Sequence, residues 1–191
     1  MQLSSNSSTN LARFVRHQNH LQNQLGHWIA WSSLSLVLIT ALVVVLRYGF
    51  ETGSIALQES VMYNHAILFM LGIAYTYQQG QHVRVDVFYG QFSETQKAWV
   101  DLVGTLLLTL PAMGFILWSG WDYVAVSWRI EESSAEAGGI AYLYLLKTLI
   151  LIMAILVISQ ALSVAAQALL KIYAPEYSSN SETLDETEGK L

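Results

Sequence analysis

Long apolar stretches alternate with short polar ones along this chain, and their lengths set the first constraint. Thirty residues without Asp, Glu, Lys or Arg separate Arg16 from Arg47; Asp101 and Asp122 enclose another twenty, and Lys147 and Lys171 a further twenty-three. An α-helix needs about 20 mostly apolar residues to cross roughly 30 Å of hydrocarbon. The gaps are therefore of membrane size. The first span is expected from Trp28 to Leu46, with Trp28 and Trp31 where an aromatic belt would sit. A second runs from about Val61 to Tyr77 and is the weakest, because Asn64 and His65 lie inside it. Ser93 followed by Gln96 is a capping-box pattern that starts a helix leading into the third span, Leu102 to Trp118. Pro111 sits within that span; it removes one backbone donor and predicts a kink. The fourth span covers roughly Thr148 to Ala166.

These elements predict an all-α integral membrane protein of about four transmembrane helices. Residues 1–27 form a polar N-terminal segment, 28–170 the four-helix domain, and 171–191 an acidic tail expected to be disordered. The first apolar run is too long for a cleavable signal and is read as a retained anchor. Four spans place both termini on one side. The two terminal segments and the middle loop hold Arg13, Arg16, Arg84, Lys97, Lys171 and Lys190, against Arg47, Arg129 and Lys147 on the other side. The positive-inside rule then makes both termini cytoplasmic.

Composition agrees with this reading. The chain is 53% hydrophobic and only 12% charged, about half the charged share of a soluble domain. Its net charge of −5 comes mostly from residues 176–191, where five acids and one base contribute −4. Nucleic acid is excluded as a partner, since no basic stripe is set against that acidic tail. Without cysteine there is no disulfide, thiolate chemistry or iron–sulfur site. No nucleophile–base pair, phosphate loop or paired carboxylates stand out, so an enzyme is not expected. Charged groups are missing from the span centres, and no internal repeat is found. A transporter that moves solute alone often carries both. The chain reads as scaffold.

His65 is the one histidine within a span, and an interhelical or interfacial hydrogen bond is its plainest role; His17, His20 and His27 lack metal-site spacing. Glu59 and Lys147 sit at the outer ends of the second and fourth helices. Such side chains usually snorkel to water; the sharper expectation is an ion pair between them joining the two helices. On the fourth helix Ala161, Ala165 and Ala168 fall at i, i+4, i+7, either ordinary helix composition or a small-residue face suited to close packing. The segment Gly80-Gln81-His82-Val83-Arg84-Val85-Asp86-Val87-Phe88-Tyr89 alternates three valines with His82, Arg84 and Asp86, which in isolation reads as a short strand or an interfacial loop.

Placed between the second and third spans, and followed by Lys97-Ala98-Trp99 and Asp101-Leu102, that segment resembles the small permease subunit of tripartite ATP-independent periplasmic (TRAP) transporters, the DctQ-like family. The run Ser127-Trp128-Arg129, Glu132-Ser133, Gly138-Gly139 and Lys147 looks like the branch labelled mannitol/chloroaromatic-type. The chain departs from that branch at Ala137 and Ala141, where prolines flank the glycine pair. The resemblance covers about residues 28–170. It implies a bacterial inner-membrane complex in which a periplasmic solute-binding protein captures an organic acid or related solute. It also implies a large permease subunit that holds the substrate and sodium sites, with no cofactor on this chain. The small subunit would scaffold the large one in the lipid bilayer and help dock the binding protein. On this reading His82, Arg84 and Asp86 belong to a cytoplasmic loop, with Arg84 and Asp86 ordering it, while Glu59 and the surface around Trp128, Glu132 and Lys147 serve structure or partner contacts. The alternative is a membrane-anchor subunit of a respiratory oxidoreductase, which would need paired axial ligands in facing spans.

Overall fold

The computed structural model describes residues 5–80, 90 and 92–174. Helix α1 runs without interruption over Ser5–Gly49. Helix α2 (Ile55–Ala66) continues through a π-helical turn, Ile67–Leu71, into α3 (Gly72–Gln78). Helix α4 (Glu94–Gly104) passes through a second π-helical turn, Thr105–Thr109, into α5 (Leu110–Arg129), and α6 spans Leu143–Tyr173. The all-α expectation holds, with no strand among the described residues. Among the described residues three helices are long and apolar enough to cross a membrane: Ser7–Gly49, Glu94–Arg129 and Leu143–Tyr173. The stretch Ile55–Gln78 is helical throughout but falls short in apolarity, as Asn64 and His65 foretell.

Several hydroxyls within the long helices bond to their own helix backbone. Ser33 donates to the Ala30 carbonyl, Ser35 to Ser32 and Thr40 to Leu36. Ser119 donates to Phe115 and Thr148 to Tyr144 in the same way. In hydrocarbon an unmet donor costs several kcal/mol, so this back-bonding lets hydroxyls sit in apolar runs. Pro111 is accommodated differently. The π-helical turn ends just before it, with the Leu110 amide reaching back to the Thr105 carbonyl. Widening the helix by one residue is a recognised way to absorb an interruption of the i→i−4 ladder.

The chain divides into two compact units. The first comprises Met1–Gln22, Thr76–Met113 and Val157–Leu191; the second, Asn23–Tyr75 and Gly114–Leu156. In the first, Ala98 and Leu102 of α4 are buried with Ala165 and Ala168 of α6, and Leu169 and Ile172 pack against them. Ala161 is also fully buried, so the small-residue spacing marks a packing face. The predicted capping box is present: Ser93 Oγ accepts from the Gln96 amide and Gln96 Oε1 from the Ser93 amide.

The N-terminal segment is more ordered than its composition suggests. Ser8, Val15, Asn19 and Gln22 are buried, at a spacing of seven, four and three residues, which is one stripe of a helix. Asn19 Oδ1 accepts from Gln160 Nε2 at 3.3 Å and Ser163 Oγ at 3.4 Å, its carbonyl accepts from Gln78 Nε2 at 3.1 Å, and Gln18 Nε2 donates to Ser159 Oγ at 2.8 Å. A polar seam therefore fixes the start of α1 against the end of α6.

Candidate functional site

The charged and aromatic residues singled out between α5 and α6 gather in the second unit around one loop, residues 130–142. The loop begins where α5 ends. Glu131 adopts φ +47°, and the Glu132 amide bonds back to the Ser127 carbonyl at 3.0 Å. This is the six-to-one bond of a helix terminus that usually carries glycine at the left-handed position. The turn fixes Glu132 beside the first turns of α6, where Lys147 Nζ donates to its Oε2 at 2.5 Å. The Leu143 amide donates to the Glu132 carbonyl at 3.1 Å, closing the loop at its far end.

Lys147 is held from two sides. Its ammonium lies 4.2 Å from the centroid of the Tyr123 ring as well as against Glu132. A cation over an aromatic face gains about 0.5–1 kcal/mol when exposed and more when desolvated. Next to it Trp128 Nε1 donates to Thr148 Oγ1 at 2.8 Å, and the Trp128 ring meets Tyr144 at 4.7 Å between centroids with a 59° tilt. Trp128 thus ties α5 to α6 through one edge while remaining 48% exposed. The Lys147 ammonium, and after it the Ser127 hydroxyl, hold the Glu132 carboxyl below its ordinary range.

Glu59 secures the other side of the loop. One carboxylate oxygen accepts from the Ser134 hydroxyl, and Oε2 accepts from the Ile140 amide at 2.6 Å. The Ser134 hydroxyl first, then the Ile140 amide, keep its pKa low. Between those two residues the chain turns on Gly138, at φ +82°, and Gly139. A Cβ on Gly139 would stand 2.8 Å from Glu59 Oε1. The glycine pair is needed because one member must be left-handed and the other must admit a carboxylate. The expected Glu59–Lys147 ion pair is corrected: Lys147 pairs with Glu132 and Glu59 with the loop, because the turn at Glu131 brings Glu132 to Lys147.

Two further placements bear on the site. Asn64 Nδ2 donates to the Ser32 carbonyl at 3.2 Å and to Ser35 Oγ at 2.5 Å, so the polar residue of the weakest span is spent on α1. His65 is exposed and stacks on Phe69 at 6.2 Å between centroids. His82, Arg84 and Asp86 lie outside the described residues. The contribution of Ser134 and Ile140 was missed in the sequence, since nothing local marks them as carboxylate ligands. The seam at Asn19 was missed as well, although the seven-four-three spacing from Ser8 was there to find.

The arrangement has no reactive group poised against another. It is a loop pinned by two carboxylates, with the Trp128 and Tyr144 rings in contact and the Tyr123 ring beside Lys147. A family model described as "Tripartite ATP-independent periplasmic transporters, DctQ component" fits residues 36–171. No curated protein and no solved structure matches the chain.

Proposed function

The chain belongs to the DctQ-component family of tripartite ATP-independent periplasmic transporters, and from that premise we propose how it serves in such a complex. It is a transporter component rather than an enzyme, and the respiratory-anchor alternative has no support from the family match. In our reading it resides in a bacterial inner membrane with both termini cytoplasmic. It packs beside a large permease subunit that carries the substrate and sodium sites, and imports an organic acid or related solute. The loop at residues 130–142 faces the periplasm and helps dock the solute-binding protein. The observation that carries the reading is the match over 36–171 on helices whose centres hold no Asp, Glu, Lys or Arg. Such centres suit a static scaffold better than an ion path.

Support for the docking role comes from the loop itself. A surface pinned by Glu59 and by the Glu132–Lys147 pair loses little entropy when a partner settles on it. The net acidic outer loops would favour a basic patch on the binding protein. Affinity purification from native membranes in mild detergent, with partners identified by mass spectrometry, tests the assignment. Recovery with a large polytopic permease at about one copy each is the expected result. Recovery alone, or with a redox enzyme, would overturn it.

A further inference from the structure

A second charged surface lies on the first unit. Along α1, Arg13, Arg16, His17 and His20 are exposed, and their spacing of i, i+3, i+4 and i+7 places them in one stripe of the helix. Val15, Asn19 and Gln22 are buried on the opposite side. At about 100° per residue, Phe14 and Leu21 fall beside the basic stripe, and they are 43% and 41% exposed. The helix is therefore three-faced: one face buried, one basic, one apolar and open. Among the described residues no ion pair neutralises Arg13 or Arg16; the salt bridges run from Lys97 to Glu94 and from Lys147 to Glu132.

What would cover a basic stripe flanked by exposed apolar side chains follows from where it lies along the helix. Arg16 is followed by thirty residues free of Asp, Glu, Lys and Arg before Arg47, all within the helix Ser5–Gly49. Asn19, beside the stripe, bonds to Gln160 and Ser163 of α6, which lie near the end of the expected fourth span, Thr148 to Ala166. The stripe therefore begins at headgroup level. Guanidinium groups pair bidentately with phosphate oxygens, an imidazole offers at least one N–H donor, and exposed apolar side chains at this depth suit the glycerol and upper acyl region.

We propose that Arg13, Arg16 and His17 form a binding surface for anionic phospholipid headgroups, with Phe14 and Leu21 seated against the adjoining lipid. The surface depends on membrane insertion and not on the transporter reading, so it stands or falls separately from it. An acidic surface of a partner subunit is the competing occupant. The lipid is favoured because the stripe continues directly into the membrane-spanning part of the same helix.

The test uses the full-length chain in detergent with equimolar phosphatidylglycerol and phosphatidylcholine, bound lipid being counted by native mass spectrometry. Each arginine is expected to contribute about fivefold to the preference for the anionic lipid. Arg13→Gln with Arg16→Gln should reduce that preference at least tenfold, and salt should weaken it in the parent chain. Arg13→Lys with Arg16→Lys should keep most of it, which separates lost charge from a failure to fold. Lys97→Gln, which removes a lysine already paired with Glu94, should leave it unchanged. A double glutamine variant that keeps its phosphatidylglycerol would overturn the proposal. So would one that loses only its co-purifying protein partners.

Discussion

Gly26 offers a sharp test of how closely the helices of the second unit approach. A Cβ built there would stand 2.5 Å from Tyr75 Cγ and 2.8 Å from Cε2. Carbon atoms settle at about 3.5–4.0 Å, so Gly26→Ala forces the ring back by roughly 1 Å. Cγ is bonded to the Tyr75 Cβ and cannot swing aside as a flexible chain end would, so α3 must shift or the side chain must leave its rotamer. Overpacking of this kind costs about 1–3 kcal/mol. The opposing gain from replacing a helical glycine is about 1 kcal/mol in water and shrinks in lipid, where the helix persists without its neighbours. The cost therefore wins. Two glycines of α5 calibrate the comparison: a Cβ on Gly114 would meet nothing within 4 Å, and one on Gly120 would lie 3.3 Å from Leu151 Cδ2 and 3.7 Å from Ile150 Cγ2. Thermal unfolding in mild detergent, followed by tryptophan fluorescence, should rank the three alanine variants. Gly114→Ala should melt at or slightly above the parent, Gly120→Ala close to it, and Gly26→Ala lower by about 2–12 °C, at about 2–4 °C per kcal/mol for a chain of this size. A Gly26→Ala variant as stable as Gly114→Ala would refute the close approach of α1 and α3.

Other perturbations separate the remaining contacts. Glu132→Lys or Lys147→Glu alone should loosen the 130–142 loop, and the double reversal should restore it, read as hydrogen-exchange protection at the Leu143 amide; no restoration would deny the pair. Because the folded-state pKa of Glu132 is lowered, its stabilisation is fully present above the carboxyl's ordinary pKa. It is lost as pH falls through the lowered value, so protection should persist at mildly acidic pH and fail only below it. Asn64→Leu should insert the second helix more readily while weakening its hold on α1 by about 0.6–1.7 kcal/mol, measurable as easier insertion in a glycosylation reporter with a lower melting point. Arg84→Ala should reduce complex assembly or solute uptake while leaving the binding protein's substrate affinity untouched; normal uptake at normal complex levels would dismiss a role for that residue.

What the sequence disclosed and what it withheld divide by the distance over which each feature is encoded. The Ser93–Gln96 box and the Ala161-Ala165-Ala168 face are short-range patterns, set by helix geometry within seven residues, and both are found where expected. Glu59 finds its partners 75 and 81 residues away, at Ser134 and Ile140, and no local spacing announces such a meeting. That Lys147 pairs with Glu132 and neither snorkels alone nor meets Glu59 has a related reason. The left-handed turn at Glu131, which delivers Glu132, occurs at a residue with a Cβ, so no glycine signalled it. The N-terminal segment hid its order in composition: Ser, Asn and Gln read as solvated, yet Asn19 and Gln22 face a buried seam while the arginines face out.

Taken together, these contacts allocate the chain's polar groups in a way that bears on its role. Within the long helices hydroxyls bond to their own backbone, and Asn64 bonds to a neighbouring helix. Asn19 is engaged by Gln78, Gln160 and Ser163. Groups committed in this way hold helices in register and are poorly placed to exchange ions or solute, which would require them to trade partners during each cycle. The carboxylates and the lysine that could do such work are instead stationed at a loop, where they fix its shape. Such an allocation supports the scaffold role proposed for this subunit, under which the moving parts of the transport cycle are to be sought on its partners.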